Sequence, residues 1–277
     1  SHKMQLVTGP ANATDHRIKW TSSNKTAATV DENGTVTALR PIETVTITAV
    51  YKTNPALTCS WNLKITRTKG YITKQMLDNL DLTSIKKVMI TAHPDDETLW
   101  GGGHLIEGEY LVVCMTHGWN PKRRTAFEQT MRTTNDKYLI LDYPDVRKTF
   151  SNGKYETDML STCKNAMQED INLILSYKKW DLIATHNPFG EYGKFLHKTI
   201  SQMVTQCYNK MTNKSATLYY FGRYYNSSNK IPGEQIAPEL LAIKNSMVGR
   251  YYPTAKGAID AFGHMIPYEN WLLPSEW

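Results

Sequence analysis

The spacing of apolar residues changes once along this 277-residue chain, and that change constrains the fold more than any other feature. Up to about residue 68, apolar and polar residues alternate with a period of two, most clearly in 45–51 and 57–65. From about residue 71, short wholly apolar runs alternate with stretches of helical spacing. The first pattern is typical of half-buried strands, and the second is typical of strands covered by helices on both faces. We therefore predict two domains, over residues 1–68 and 69–277.

The first region is predicted to be a small all-β sandwich. Asn33 and Gly34 stand between two β-rich runs, 28–30 and 36–38. Asn-Gly between such runs is a strong local hairpin signal. Nothing in these residues indicates catalysis.

The second region is predicted to be an α/β, Rossmann-like domain with a mainly parallel sheet. Its four apolar runs are 86–91, 110–115, 181–185 and 217–221. Two helices are predicted from apolar residues at helical spacing. These residues are Leu160, Cys163, Met167, Ile171 and Ile174 in one helix, and Leu196, Ile200, Met203 and Cys207 in the other.

Composition excludes several classes of protein. The net charge of +6 is spread along the chain without a basic run, which argues against nucleic acid as a partner. No apolar run approaches the ~20 residues of a transmembrane helix. The four cysteines include no Cys-x-x-Cys pair, so we expect buried thiols rather than a zinc ribbon or a redox pair. The first residues lack the features of an export signal, and we expect any native signal to have been removed.

Three of the apolar runs end in polar clusters. The clusters are 92–97, 116–120 and 186–193, and they contain His93, His117 and His186. Ligands of open parallel sheets bind beyond the carboxyl ends of the strands, so these clusters are expected to share one edge. The sequence thus places histidines and carboxylates together, which is the ligand chemistry of a divalent metal.

His93 and Asp96 are spaced to share one ion, and His197 is a candidate third ligand. Asp95 would then remain free to accept a proton from water. Two simpler interpretations stay open from spacing alone. Acidic residues before a helix also stabilise its N-terminus, and a histidine at a strand end is often only a hydrogen-bonded loop residue.

Two segments of the chain resemble known families. Residues 18–24, 28–38 and 45–49 resemble the bacterial immunoglobulin-like domain of group 2, which occurs mostly in secreted or surface proteins. This resemblance implies an extracellular or cell-surface location in bacteria. Residues 93–97, followed by Gly101–Gly103 and by Gly190–Gly193 with His197, resemble the LmbE-like or PIG-L family of zinc-dependent N-acetylglucosaminyl deacetylases.

The second resemblance covers about residues 86–252 and implies a role for each matching position. His93, Asp96 and His197 correspond to the metal ligands, and Asp95 to the general base. Tyr192 corresponds to the tyrosine that helps to stabilise the oxyanion. Zn²⁺ is the implied metal, although two histidines and one carboxylate also suit Fe²⁺.

The sequence departs from the family pattern at two places. Lys194 stands where the family usually has a histidine, and it either donates to the oxyanion or the leaving amine or marks lost activity. The family's Arg-x-x-Glu segment has no clear glutamate here. Arg123 or Arg124 either binds substrate or belongs to a solvated helix start.

Three further residues are candidates for contact with substrate. Trp119 is placed to stack on a sugar face. His117 and His186 either orient ligands or make ordinary loop hydrogen bonds.

The resemblance implies hydrolysis of an N-acetyl group from an N-acetylglucosamine-type sugar in a glycan or glycoconjugate. Two alternatives stay open: a catalytically weakened carbohydrate-binding relative, and an amidase that removes a larger acyl group. Acetate release separates the deacetylase from the binding protein, and the length of the released acid separates it from the amidase.

Overall fold

The structure is a computed structural model that describes residues 1–9, 15, 17–148, 155–156, 158–212 and 215–277. It divides into two compact units. One contains Ser1–Thr68 and Thr157–Cys163, and the other contains Lys69–Glu156 and Lys164–Trp277. Each unit has a hydrophobic core of its own.

The first unit consists of two antiparallel sheets. Its strands are β1 (His2–Lys3), β2 (Ile18–Ser22), β3 (Ala28–Val30), β4 (Thr35–Ala38), β5 (Ile42–Tyr51) and β6 (Thr58–Ile65). The described strands pair in the orders β1-β4-β3 and β2-β5-β6. Val36 of the first sheet and Val45 and Ile47 of the second share one core, so the two sheets pack face to face.

The predicted hairpin is confirmed, with a longer loop than a two-residue Asn-Gly turn. β3 and β4 pair antiparallel, and Val30 lies opposite Val36. The carboxylate of Asp31 accepts the backbone N–H groups of Asn33 and Thr35 at 2.9 and 2.7 Å. Gly34 has a φ of 79° and lies against the ring of Trp20, where a Cβ atom would be 2.6 Å from a ring carbon. The side chain of Asp31 and the missing side chain of Gly34 therefore define this turn.

The cysteine expectation needs one correction. Cys114, Cys163 and Cys207 are buried, as expected, but Cys59 is exposed. Cys59 lies in the first half of β6, which is the edge strand of its sheet and is exposed there on both faces. Its alternation with Trp61 and Leu63 predicted an inward-facing side chain, but the first three residues of β6 are exposed and burial begins only at Trp61.

The second unit is built around a parallel sheet. The remaining strands in the described part of the chain are β7 (Lys87–Thr91), β8 (Tyr110–Thr116), β9 (Lys137–Tyr143), β10 (Arg147–Lys148), β11 (Tyr155–Glu156), β12 (Leu182–His186) and β13 (Thr217–Phe221). Among the described residues, five of these form a sheet in the order β13-β12-β7-β8-β9, with every neighbouring pair parallel. Four of the five were predicted from their apolar runs, and β9 was not. β10 and β11 form a separate short antiparallel pair.

The helices follow the strands as an α/β fold requires. They are α1 (Lys74–Asp78), α2 (Asp96–Glu107), α3 (Pro121–Thr134), α4 (Asp158–Tyr177), α5 (Gly190–Gly193), α6 (Phe195–Lys210) and α7 (Pro238–Phe262), with 3₁₀ turns at Gly263–Met265 and Pro274–Glu276. The two predicted helices are α4 and α6, and the nine apolar residues that predicted them are all buried. None of the described helices combines the length and the apolar character that a membrane span needs.

The strand order fixes where a ligand can bind. The chain lays down β7, β8 and β9 in one direction and then returns to place β12 and β13 on the other side of β7. In open parallel sheets of this kind, the reversal opens a crevice beyond the carboxyl ends of the two central strands. Here that crevice lies beyond the ends of β7 and β12.

Candidate metal centre

The polar clusters predicted at three strand ends meet beyond β7 and β12, and a fourth strand end joins them. A single residue, Ala92, separates His93 from the end of β7, and His186 is the last residue of β12. His197 comes from the first turn of α6. Asp145 follows β9, the strand that the sequence pattern did not reveal.

Three side chains offer ligand atoms to a common point. His93 Nδ1 lies 3.0 Å from His197 Nε2, and Asp96 Oδ2 lies 3.3 and 3.4 Å from these two atoms. All three residues are buried. Ligand atoms around a tetrahedral Zn²⁺, at bonds of roughly 2.0–2.1 Å, are separated by about 3.3 Å. The triangle therefore has the size that a divalent ion needs.

Each of the two histidines has a carboxylate on its other ring nitrogen. His93 Nε2 lies 2.9 Å from Asp145 Oδ1, and His197 Nδ1 hydrogen-bonds to Glu191 Oε2. A carboxylate at that position accepts the ring N–H and leaves the opposite nitrogen unprotonated. This arrangement presents the lone pairs of His93 Nδ1 and His197 Nε2 to the triangle.

His186 lies behind the triangle and is fully buried. Its Nε2 accepts the backbone N–H of Ala92 at 2.9 Å, and its Nδ1 lies 2.9 Å from Glu191 Oε1. Because Nε2 is an acceptor, the ring proton is assigned to Nδ1, which donates to Glu191. His186 also stacks on His197, with ring centroids 3.9 Å apart. Of its two sequence-level interpretations, the contacts match a residue that orients ligands.

Glu191 is a residue of the candidate site that was not predicted from the sequence. It is buried, and its two oxygens contact two different imidazoles. Asn187 Oδ1 accepts the backbone N–H of Glu191 at 3.3 Å. Gly222 passes so close that a Cβ there would be 2.7 Å from Cγ of Glu191. The segment 190–193 was recognised as a motif, but its acidic residue gave no signal of its own. The positive φ that places Glu191 between His186 and His197 is not evident from the sequence.

Backbone strain is concentrated at the same place. Asp95, His117 and Glu191 have φ values of 145°, 66° and 57°, and they are three of the five non-glycine residues with positive φ in the described part of the chain. Such conformations cost about 1–3 kcal/mol each and are retained where the surroundings hold them, most often at functional sites.

Asp95 is a buried carboxylate next to the ligand Asp96, and it does not belong to the triangle. Arg123 approaches it, with Nη2 lying 3.5 Å from Asp95 Oδ2. Burial, followed by the charge of Asp96, raises the pKa of Asp95 to about 7, and Arg123 opposes this shift. The carboxylate of Asp95 therefore binds a proton more readily than the carboxylate of the neighbouring ligand Asp96.

The electrostatics of the triangle favour a bound cation. Five carboxyl groups lie in or against the cluster: Asp95, Asp96, Glu97, Asp145 and Glu191. Although burial disfavours the charged ring, the charges of Asp145 and then of Asp96 raise the pKa of His93 to about 10, so its Nδ1 carries a proton at neutral pH unless a bound cation takes the place of that proton. Burial lowers the pKa of His197, which favours the neutral form that ligates metals. Buried negative charge of this density requires a positive partner.

The triangle opens into a cavity of about 100 Å³. The polar residues that line it include Arg123, Asp145, Tyr192 and Lys194, together with Asp95 and the three triangle residues. The apolar residues that line it are Leu99, Trp100, Ala255, Ala258 and Phe262. Tyr192 is half exposed, and its ring packs against Phe262 with centroids 4.7 Å apart. Tyr192 and Lys194 therefore both lie at the cavity. They are the two residues to which the sequence analysis gives a possible donor role.

The remaining sequence candidates lie around this cavity in different settings. Arg124 pairs with Glu128 at 3.0 Å on α3, so the solvated interpretation suits it, whereas Arg123 reaches Asp95. His117 Nε2 lies 3.4 Å from Asp145 Oδ2, and the ring of Trp119 lies 6.2 Å from that of His117. His117 is thus part of the shell around Asp145.

These residues fit a divalent metal ion. Two neutral imidazoles and one carboxylate are a common ligand set of hydrolytic zinc sites and also suit Fe²⁺. The separations within the triangle match such an ion, and the backing carboxylates Asp145 and Glu191 fix the ligand orientation in the usual manner.

Comparison with known proteins identifies the first unit. Residues 1–60 match the family described as bacterial Ig-like domain (group 2). This match confirms the N-terminal resemblance seen in the sequence.

Among curated proteins, the chain is 31% identical over 175 residues to the uncharacterized protein L374 of Acanthamoeba polyphaga mimivirus. The match covers 57% of this chain and 67% of the viral protein. The chain belongs to the L374 family. An alignment of 175 residues is too long for residues 1–68, so similarity to L374 extends into the α/β unit.

Beyond the L374 family, two matches are more limited. The chain is 33% identical over 97 residues to the uncharacterized protein CA_P0160 of Clostridium acetobutylicum, covering 35% of this chain and 10% of that protein. The crystal structure of the conserved protein TT1542 from Thermus thermophilus superposes with a TM-score of 0.48 at 13% identity, covering 69% of this chain and 95% of the other.

Proposed function

We propose that the protein is a metal-dependent hydrolase that removes N-acetyl groups from N-acetylglucosamine-type sugars in a glycan or glycoconjugate. The observation that carries this proposal is the ligand triangle of His93, Asp96 and His197 beside the carboxylate of Asp95, which is not one of the three ligands. A cation held by the triangle would supply Lewis-acid polarisation of a carbonyl group and would acidify a water molecule. The choice between Zn²⁺ and Fe²⁺ is part of the test.

Asp95 is proposed to move the protons of the reaction. Hydrolysis breaks the amide C–N bond and forms a C–O bond from water, which yields acetate and a free amine. The attacking water must lose a proton, and the leaving nitrogen must gain one. Asp95 lies at the cavity, next to the ligand Asp96, and is not itself needed as a ligand. It is therefore placed to accept the first proton and return it to the amine.

Tyr192 and Lys194 are proposed to stabilise the charge that develops on the carbonyl oxygen. Both line the same cavity as Asp95, and a phenol and an ammonium group are hydrogen-bond donors. Arg123 also lines the cavity and holds Asp95 from one side. It is proposed to position Asp95, and to contact the substrate where the sugar enters.

Two sequence resemblances support the choice of substrate and location. The segments 93–97 and 190–193 with His197 resemble the LmbE-like or PIG-L deacetylases, whose substrates are N-acetylated amino sugars. The Ig-like domain supports an extracellular or cell-surface location, where bacterial glycans are found. Trp119 and His117 lie near the site and are proposed to contact the sugar.

The test combines metal analysis with an acetate assay. The full chain is stripped of metal, reloaded with Zn²⁺ or Fe²⁺, and incubated with N-acetylglucosamine, chitooligosaccharides and peptidoglycan fragments. We expect about one ion per chain and acetate release proportional to protein concentration. Stoichiometric metal without acetate or another acid from any of these substrates would refute the hydrolase and leave a binding protein.

A further inference from the structure

Glu97 is one of the five carboxyl groups of the cluster, and the catalytic proposal gives it no role. It lies in the first turn of α2 and is fully buried. Its Oε2 accepts the backbone N–H of Asp95 at 3.1 Å, and its Oε1 accepts the hydroxyl of Thr98 at 2.7 Å. The hydroxyl of Tyr251 donates to the same Oε1 at 2.5 Å. One carboxyl group therefore connects the backbone of Asp95 to α7, a helix that is far away in the sequence.

The backbone of Asp95 depends on this hydrogen bond because its conformation is strained. Asp95 has φ 145° and ψ −32°, a combination that residues other than glycine rarely adopt. Its N–H is bonded to Glu97, and its carbonyl oxygen accepts the backbone N–H of Leu99 at 2.9 Å. In this conformation its carboxylate lies at the cavity, beside Arg123. If the N–H lost its acceptor, the backbone would relax and the carboxylate would move.

The packing of α7 on α2 fixes the position of the Tyr251 hydroxyl. Lys244 and Tyr251 are seven residues apart in α7, so they share one helical face, and both are buried. At Lys244 the two helices approach so closely that a Cβ on Gly102 would be 2.8 Å from Lys244 Cγ. The ring of Tyr251 belongs to the hydrophobic core. Its hydroxyl therefore keeps Oε1 of Glu97 in place and leaves Oε2 directed at Asp95.

A similar pair in the same unit offers a matched control. The hydroxyl of Tyr143 donates to Asp170 Oδ2 at 2.6 Å, and both residues are buried. Asp170 also accepts the backbone N–H groups of Tyr71 and Ile72. Neither Tyr143 nor Asp170 is among the described residues that line the cavity. Loss of the Tyr143 hydroxyl therefore removes an equivalent hydrogen bond without touching Asp95.

We infer that Tyr251 is a positioning residue, which acts through Glu97 to hold Asp95 in the conformation that keeps its carboxylate at the cavity. The inference rests on the proposed hydrolase function, in which Asp95 accepts the proton of water. Tyr251 is not among the described residues that line the cavity, so it has no contact with substrate there. Its hydroxyl therefore affects the chemical step and not the binding of substrate or metal.

Turnover of the full chain tests this role with two matched substitutions. Tyr251→Phe removes only the hydroxyl, and kcat should fall about tenfold with KM and metal content unchanged, because a small displacement of a catalytic group can cost up to ~100-fold in rate. Tyr143→Phe removes the control hydroxyl, and kcat should stay within about twofold. A wild-type kcat in the Tyr251→Phe variant would overturn the inference.

A double variant separates positioning of Asp95 from a general structural role. In the Asp95→Asn background, Tyr251→Phe should lower kcat by less than about twofold, because the group that it positions no longer accepts a proton. The same tenfold loss in both backgrounds would overturn the inference.

Glu97→Met covers the case in which Tyr251→Phe fails to fold. It keeps the length of the side chain and removes both acceptor oxygens, so kcat per bound metal ion should fall at least about tenfold. A wild-type value in this variant would also overturn the inference.

Amide hydrogen exchange separates this inference from the proposed function. Exchange of the Asp95 N–H is followed by ¹⁵N NMR in the Zn²⁺-loaded full chain, with the amides of β8 as the reference for global unfolding. Relative to that reference, Tyr251→Phe should accelerate exchange at least about tenfold, and Tyr143→Phe should not. If the wild-type chain hydrolysed none of the substrates, the hydrolase would be refuted, and accelerated exchange would still support the hold on Asp95. Unchanged exchange would overturn the inference even if the chain were an active hydrolase.

Discussion

The two units of this protein bury very different side chains. The core of the Ig-like unit is apolar, with residues such as Val45 and Ile47 inside. In the part of the chain that the structure describes, every buried polar or charged residue lies at or after Thr91. The α/β unit buries His93, Asp96 and Glu191 in one connected cluster. Burial of charge is expensive, so its confinement to one unit identifies that unit as the location of the candidate site.

The sharpest way to break this comparison is to remove one metal ligand. His93→Ala or His197→Ala should abolish stoichiometric metal binding and acetate release, because two ligands do not hold a catalytic ion tightly. His2→Ala, the same change at an exposed position of the Ig-like unit, should leave about one ion per chain. Metal content after dialysis, measured by mass spectrometry, checks both. Full metal content in the His93 or His197 variants would exclude the triangle as the site.

The next largest effect is expected at Asp95. Asp95→Asn keeps the size of the side chain but removes its ability to accept a proton, so turnover should fall by ~100-fold or more while metal content persists. Asp31→Asn alters a carboxylate that only holds a turn in the Ig-like unit, and it should not change turnover. Steady-state rates and metal content of the two variants are compared. If the Asp95 variant retained full activity, the general base would have to be another group.

Glu191 offers a test of the buried network itself. Glu191→Gln replaces one acceptor oxygen by an amide nitrogen that cannot accept the N–H of both His186 and His197. His197 should then carry its proton on Nε2 in part of the molecules, and metal affinity should fall about 10- to 100-fold. Competition with a chelator measures the affinity, and ¹⁵N NMR of the histidine rings reports the tautomer. Glu43→Gln, in an exposed ion pair of the Ig-like unit, is the control. An unchanged tautomer and affinity would remove Glu191 from the site.

A smaller effect is expected at Lys194, where the sequence departs from the family it resembles. Lys194→Ala should lower kcat about 10-fold with little change in metal affinity if the ammonium group donates to the oxyanion or the leaving amine. Lys198→Ala, at an exposed position of the helix that follows Lys194, should have no effect. Lys194→His restores the histidine of the family pattern, and it should raise activity if the lysine marks lost activity. If Lys194→Ala changed nothing and Lys194→His gave no gain, Tyr192 and the metal ligands would suffice.

The smallest effect is expected from removing the Ig-like unit. A chain that begins at Lys69 contains the whole α/β core and the site, so kcat/KM for small soluble substrates should change by less than about twofold. A loss confined to polymeric substrates would assign attachment or spacing to residues 1–68. An insoluble truncated chain would contradict the independence of the two units.

Periodicity in the sequence was sufficient to predict most of the sheet but not its fifth strand. Four strands of the parallel sheet are nearly continuous apolar runs, because both of their faces are covered. β9 lies at the edge and is only half-buried over most of its length, so its sequence lacks that signature. Asp145, which follows β9, was missed together with it. The signal for Asp145 in the sequence is its position as an acidic residue just after the mixed run 137–143.

The order of residues along the chain determined the local pieces of the site. Asp95 and Asp96 stand next to His93 in the sequence, and any fold with a strand before them would bring them to a sheet edge. The pairing of His93 with Asp145 depends on elements that are far apart in the sequence. The pairing of His197 with Glu191 spans only six residues, but it depends on the irregular backbone of α5. Only tertiary packing decides which nitrogen of each imidazole carries a proton and how large the cavity is, because both depend on the atoms that the fold brings within a few ångströms.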